Sequence, residues 1–181
     1  MEFQPLRLAG TFLIKPKPIG DARGYFMESY RRDKFAAHGL VTDWAQENQA
    51  LSTRKHVLRG LHFQFPPHTE TKLFRALKGR VLDVFVDLRK DSPTYGEWDS
   101  VELTEENHHT IYIPKGFGHG YCTLTDTALV AYKVDEFYAP DAQGGLMWND
   151  ADLAIDWPTT DPLLSEKDRK LPPFATFESP F

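Results

Sequence analysis

Arg80-Val81-Leu82-Asp83-Val84-Phe85-Val86-Asp87-Leu88-Arg89, "RVLDVFVDLR", decides the fold class. Successive side chains on an extended strand point to opposite sides, so Leu82, Val84, Val86 and Leu88 share one face, and Val81, Asp83, Phe85 and Asp87 the other. The second face mixes apolar residues with two carboxylates, and two readings account for it. Asp83 and Asp87 lie on a solvated outer face, because charged side chains are almost never buried unpaired. Alternatively they line the polar interior of a small barrel, where converging strands hold several side chains around one small molecule.

Working outward, "ALVAYKVD" alternates in the same way, with Ala128, Val130, Tyr132 and Val134 opposite Leu129, Ala131 and Lys133. Turn signals at "KGR", "SPTYG", "PKGFG" and "APDAQGG" separate short strands. Helical pattern is scarce. "SYRRDKFAAHGL" predicts one short helix running from a Ser29 cap to Gly39, and "LSEKDRKLP" another, capped by Ser165 and stopped before Pro172. The sum is an all-β protein, an antiparallel sandwich or small barrel with a few short helices.

Composition agrees. The 181 residues carry no repeat, low-complexity stretch or linker and read as a single domain over 1–181, long enough to bury roughly 70% of the unfolded surface. With 41% hydrophobic and 13% aromatic residues the chain is not disordered, and no apolar run approaches the ~20 residues of a membrane helix, so a soluble protein without membrane association is expected. The start, "MEFQPLRLAG", has no basic segment followed by an apolar one, and the lone Cys122 forms no internal disulfide, which together predict a reducing cytoplasm. Against 21 basic residues stand 26 acidic ones, a net charge of −5 that argues against a nucleic-acid surface but permits a small basic pocket.

Chemistry concentrates around "RGLHFQ", Arg59 to Gln64. An imidazole titrates near neutrality, so His62 is a candidate general base as well as a candidate hydrogen-bonded structural residue. Arg59, Gly60, Gln64 and, after "FPPHTET", Lys72 surround it in sequence. In "IPKGFGHGY", Pro114, Gly116 and His119 form a P-x-G-x-x-H turn that resembles the second motif of the cupin barrels. A metal-binding cupin also needs an H-x-H pair, because a divalent ion requires several N or O ligands. Here the sequence is His62-Phe63-Gln64, and an amide binds metal weakly, so no metal site is expected. Tyr132 is a candidate acid, since a phenol holds its proton at pH 7, or a core tyrosine with a satisfied hydroxyl. Arg23 and Arg59 are each either surface charges or, together, a forked clamp for phosphate oxygens. Tyr138 offers an aromatic face to a base, or packs simply.

The order D-x-R-G-x-F-x-E from Asp21 to Glu28, Q-x-N from Gln46 to Asn48, "LRGLHFQ", "KL" at Lys72, "DVFVDLRKDSPTYG", "IPKGFGHGY", "AYK", "WND" and "LSEKD" resembles the dTDP-4-dehydrorhamnose 3,5-epimerases. The resemblance implies a cupin-like antiparallel β barrel (jelly roll), a homodimer, and no metal or organic cofactor. It implies conversion of dTDP-4-dehydro-6-deoxy-D-glucose to dTDP-4-dehydro-L-rhamnose, toward activated L-rhamnose for envelope polysaccharide. His62 would remove the protons at C3 and C5, Tyr132 would return them from the opposite face, and Lys72 would sit near the developing oxyanion. Arg23, Glu28, Gln46, Glu47, Asn48, Arg59, Lys72, His119, Gln143 and Lys167 fall at or beside ligand-contacting positions, and Tyr138 at a stacking position. Asp168 matches a carboxylate that orients the imidazole, although Ser165-x-x-Asp168 is also a capping-box pattern and Asp83 is a second candidate partner.

The chain departs from the family pattern at Ala50, where a Ser is common, and at Gln143, where a Glu is common. Relatives that epimerise only C3 or only C5, and related ketoisomerases, share much of the scaffold. Outside this class stand a metal-dependent cupin enzyme, opposed by H-x-Q, and a non-catalytic sugar-nucleotide-binding barrel, opposed by the pairing of His62 with Tyr132.

Overall fold

The computed structural model describes residues 1–181. Thirteen strands form two main sheets and a hairpin: β1 (Glu2–Pro5), β2 (Phe12–Lys15), β3 (Ile19–Asp21), β4 (Gly24–Phe26), β5 (Gln46–Ser52), β6 (Leu58–Gln64), β7 (Lys72–Lys78), β8 (Arg80–Asp87), β9 (Trp98–Thr104), β10 (Thr110–Ile113), β11 (Phe117–Thr123), β12 (Ala128–Val134) and β13 (Gln143–Gly145). One sheet has the order β1-β2-β10-β7-β12-β5, the other β13-β6-β11-β8-β9, and β3 pairs only with β4. Neighbouring strands are antiparallel throughout.

Each main sheet is covered on both faces. Val81 and Phe85 of β8, Phe74 of β7, Ile111 and Ile113 of β10, and Val130 of β12 meet in the core between the sheets. On the far side of the five-stranded sheet, Val84, Val86 and Leu88 pack beneath Leu146, Leu153 and Trp157 of the C-terminal segment. On the far side of the six-stranded sheet, Ile14, Leu73 and Tyr112 are covered by Phe35 and Leu40. This explains why both faces of "RVLDVFVDLR" are apolar.

It also corrects the outer-face reading of the two carboxylates, because Asp83 and Asp87 are both 0% exposed. Asp87 ends β8 and is fully engaged: Arg89 Nε donates to Oδ1 at 2.8 Å and Arg89 Nη2 to Oδ2 at 2.7 Å, with Ser92 and Thr94 hydroxyls also on Oδ2. Burial alone would raise this carboxyl, but these donors hold it down at about 2.

The helices are shorter than expected. Only α1 (Arg32–Ala37) is α-helical, its N-cap position is Arg31 with no side-chain cap, and so Ser29 lies outside it. Asp33 takes over part of the capping, accepting from the Lys34 amide at 2.9 Å. Gly39, at φ +68, ends the turn as expected, with the Leu40 amide donating back to the Phe35 carbonyl. Around Ser165 the expected helix is a three-residue 3-10 turn, Asp168–Lys170, although Ser165 Oγ does accept from the Asp168 amide at 3.1 Å. No helix is long and apolar enough to cross a membrane.

Candidate active site

The central feature is an irregularity between β6 and β11. His119 pairs with His62 but Tyr121 pairs with Arg59, so three steps on β6 match two on β11. The extra residue is a β-bulge. On a regular strand Arg59 and His62, three apart, would face opposite ways, yet both line one cavity of about 200 Å³ together with Lys72, Phe74, His119 and Tyr132. Gly60 makes the bulge possible: its φ is +132, and a Cβ there would stand 2.5 Å from the Gly120 Cα and 2.9 Å from the His119 carbonyl oxygen. Only glycine meets both conditions.

Asp168, 4% exposed, accepts a hydrogen bond from His62 Nε2 at 2.6 Å. A carboxylate only accepts, so Nε2 is the donor, and Nδ1 takes no part in this contact. Burial would raise the Asp168 carboxyl, but the hydrogen bond and charge of His62, aided by Ser165, hold it below its ordinary value. The Asp168 amide thus contacts Ser165 while its carboxylate holds His62, so only half of the capping-box pattern is present. Asp83 is not the partner of His62. It accepts instead from His119 Nε2 at 2.8 Å, and its burial pushes the carboxyl up against the opposing effects of His119 and Lys72.

The opposite wall comes from the other sheet. Tyr132 on β12 stacks on Phe74 with ring centroids 5.7 Å apart, and burial raises its phenol above the ordinary value, with Glu70 adding to this and Arg59 opposing it. Lys72 at the start of β7 is 8% exposed and pairs with Glu70 at 3.1 Å. His62 from the five-stranded sheet therefore shares one cavity with Tyr132 and Lys72 from the six-stranded sheet.

Outside this cavity lies a wider cleft of about 550 Å³, which shares Arg59 and His62 and adds Tyr138, Gln143, Lys167 and Asp168. Gln143 Oε1 accepts from the Tyr138 hydroxyl at 2.9 Å and also from Lys167 Nζ. Gln46 joins the group, accepting from the Tyr138 amide at 3.2 Å and donating to Asn48 at 2.8 Å. Gln64, in the H-x-Q position, is spent on structure. Its amide nitrogen donates to the His68 and Phe137 carbonyls and its oxygen accepts from the Ala139 amide, which fixes the loop bearing Tyr138. No group of three or more His, Cys, Asp and Glu side chains converges in a metal-binding arrangement.

Three sequence candidates are placed elsewhere. Glu47 points to the outer face of β5, since Gln46 and Asn48 alternate with it, and it pairs with Lys133 at 2.8 Å. Glu28 pairs with Lys34 at 2.6 Å and with Arg31. Arg23 occupies the β3–β4 hairpin, bound to Asp21, and lines neither the cavity nor its mouth, so Arg23 and Arg59 do not form a clamp within one chain. Conversely, the sequence reading missed Tyr121, Phe74 and Glu70. Period two was available for Phe74 and Tyr121, but no local signal says which inward face meets a cavity.

Comparison with known proteins rests on the same segments. A profile of the family described as dTDP-4-dehydrorhamnose 3,5-epimerase matches residues 5–176. The chain belongs to this family. The dTDP-4-dehydrorhamnose 3,5-epimerase of Shigella flexneri is 46% identical over 159 residues, 87% of either chain. A crystal structure of the epimerase from Bacillus anthracis str. Ames with TDP and PPi bound is 44% identical, covers 95% of this chain and 98% of its own, and superposes with a TM-score of 0.93. The Legionella pneumophila Philadelphia 1 epimerase, in complex with dTDP-4-keto-L-rhamnose, is 38% identical, with coverages of 98% and 94% and a TM-score of 0.92. The epimerase fold is thus the cupin-like jelly roll implied by the sequence, and the protein is an isomerase.

Proposed function

We propose that the whole chain, acting as one domain in the cytoplasm, epimerises C3 and C5 of dTDP-4-dehydro-6-deoxy-D-glucose to give dTDP-4-dehydro-L-rhamnose. The carrying observation is the His62–Asp168 pair on one wall of a small cavity whose other wall presents Tyr132 and Lys72. Both reacting carbons flank the C4 ketone, so removal of either proton gives an enolate. His62 Nδ1 takes the proton, and Asp168 stabilises the resulting imidazolium. Lys72 offers fixed positive charge to the C4 oxyanion in a site largely closed to water. Tyr132 then delivers its phenolic proton to the opposite face of the carbon, which inverts the centre. Loss of the imidazolium proton to solvent and regain of a proton by the phenolate restore both groups before the second carbon reacts. This chemistry needs no redox partner or metal.

The cleft outside the cavity suits the nucleotide half. Arg59 stands where the two spaces join and is assigned to the diphosphate, Tyr138 to stacking on the base, and Gln46, Asn48, Gln143 and Lys167 to polar contacts around it. His119, held by Asp83, contributes a polar wall of the sugar cavity. Gln143 in this place carries no charge of its own, so it does not repel a diphosphate.

A homodimer completes the site. The β3–β4 hairpin exposes Ile19 at 69% and Phe26 at 74%, and a lone two-stranded hairpin is marginally stable in water. A second copy would cover these side chains and bring Arg23, unable to reach its own cavity, to the partner's nucleotide cleft.

NMR of the enzyme and substrate in D₂O tests the reading. Deuterium is expected at both C3 and C5, and His62→Ala should abolish both exchanges because one base serves both carbons. Exchange at a single carbon in the wild type would indicate a monofunctional epimerase, and retained exchange in His62→Ala would refute the single base. Elemental analysis of the same sample finding stoichiometric Fe, Mn or Zn would overturn the metal-free mechanism.

A further inference from the structure

Tyr121 of β11 is not used by the chemistry above, yet it lines the same cavity as His62 and Tyr132. Its side chain is almost wholly enclosed, with 5% of the residue exposed, and its hydroxyl has no hydrogen-bond partner in the protein. Ser52 on β5 stands close enough to favour the ionised phenol, yet neither hydroxyl has a partner at hydrogen-bonding geometry, and both are buried. A buried hydroxyl without a partner costs stability that a phenylalanine of the same shape would not. The aromatic ring is accounted for by packing against Phe74, with centroids 5.2 Å apart. The hydroxyl is not.

Its position narrows what it meets. Tyr121 comes from the same sheet as His62, so it stands on the wall of the base and cannot serve as the acid of the opposite face. Burial, the main influence on the phenol, keeps it protonated and therefore a donor. Across the strands it pairs with Arg59, which on the reading above holds the diphosphate attached to C1 of the sugar. Next to C1 is C2, whose hydroxyl is untouched by the reaction. The C3 hydroxyl is carried on a carbon that inverts, C4 bears the ketone under Lys72, and C6 is a methyl group.

We propose that the Tyr121 hydroxyl donates a hydrogen bond to the C2 hydroxyl of the sugar, which makes Tyr121 a specificity-determining residue for 4-keto-6-deoxy sugars that retain oxygen at C2. The inference rests on the proposed epimerase activity and deepens it. Ala50, on the facing sheet, leaves room in the same cavity and supplies no competing donor. A site built around a substrate hydroxyl discriminates against the analogue without it, because its own polar group is then left unpaired.

The test compares kcat/KM of wild type, Tyr121→Phe and Ser52→Ala on the parent substrate and on its 2-deoxy analogue. Wild type should favour the parent by roughly five- to tenfold, and Tyr121→Phe should lose about that factor on the parent alone, so that the preference disappears. The urea midpoint of Tyr121→Phe should equal or exceed that of wild type, since the orphaned hydroxyl is gone. A preference that survives in Tyr121→Phe, or that vanishes in Ser52→Ala instead, would overturn the assignment. Absence of any turnover of the parent by wild type would overturn the epimerase reading itself, which the D₂O exchange measures separately.

Discussion

On the proposed mechanism Asp168 sets which nitrogen of His62 carries the proton, a role that an amide, with a donor at one end and no charge, copies poorly. In Asp168→Asn the amide NH₂ is a donor facing Nε2, so the imidazole is pushed toward the tautomer protonated at Nδ1, the nitrogen assigned to the substrate. An imidazolium formed during the reaction would also lose its counter-charge. We expect kcat to fall by about 10²- to 10⁴-fold with a smaller change in KM, and Asp168→Glu to recover part of the loss. Steady-state kinetics at pH 7 measure this, and a kcat near the wild-type value in Asp168→Asn would remove the carboxylate from the mechanism. At this scale much was legible in the sequence. His62 and Tyr132 stand out as titratable side chains on alternating strands, whereas Asp168, in a polar run, and the role of Lys72 are implied only by the resemblance. The partner of each is not settled there. The resemblance favours Asp168 for His62 and leaves Asp83 as a second candidate, because the choice depends on a contact spanning 106 residues, and only the fold shows that Asp83 faces His119.

Strand β6 departs from regular alternation at one point, and the candidate active site is built on that departure. Strict alternation along β6 would place Gln64, rather than Arg59, on the face of His62. The bulge at Gly60 reverses part of that reading by bringing Arg59 to the cavity, while Gln64 is drawn into holding the loop of Tyr138. A single glycine was the only local sign, and register against a distant strand cannot be read from it. Gly60→Ala therefore tests the element. The substitution demands a side chain at φ +132 and places it 2.5 Å from Gly120 Cα, against backbone that cannot turn aside. Backbone strain and overpacking together predict a loss of about 2–5 kcal/mol in chemical denaturation. Activity in the surviving folded fraction should fall too, because flattening the bulge turns Arg59 or His62 away. An unchanged urea midpoint together with unchanged kcat/KM would show that the bulge is not needed. Helix lengths were overestimated for a related reason: the segments after Ser29 and Ser165 have helix-forming residues, but a chain with two doubly covered sheets leaves only short connections for them.

As a whole the molecule has a core that closes on itself and one part that does not. The β3–β4 hairpin contacts no main sheet through strand pairing and carries Arg23 away from its own cavity, alongside exposed Ile19, Tyr25 and Phe26. If a second copy covers these residues, negative charge introduced at the paired Ile19 and Phe26 should separate the subunits. Ile19→Asp combined with Phe26→Asp is expected to sediment as a monomer while each chain stays folded, because these side chains contribute nothing to the three buried cores. Arg23→Ala should raise KM roughly tenfold or more, as expected for a lost charge-assisted contact to phosphate that is similar in ground and transition states, with kcat less affected. Mixing distinguishes a site within one chain from a site between two. In a heterodimer of Arg23→Ala with His62→Ala, one of the two cavities combines an intact His62 from the first chain with an intact Arg23 from the second. Half-site activity with wild-type KM should then appear, although neither parent homodimer shows it. If the mixture, exchanged under mild urea and checked by sedimentation, retains the high KM of Arg23→Ala, the arginine serves its own chain or none.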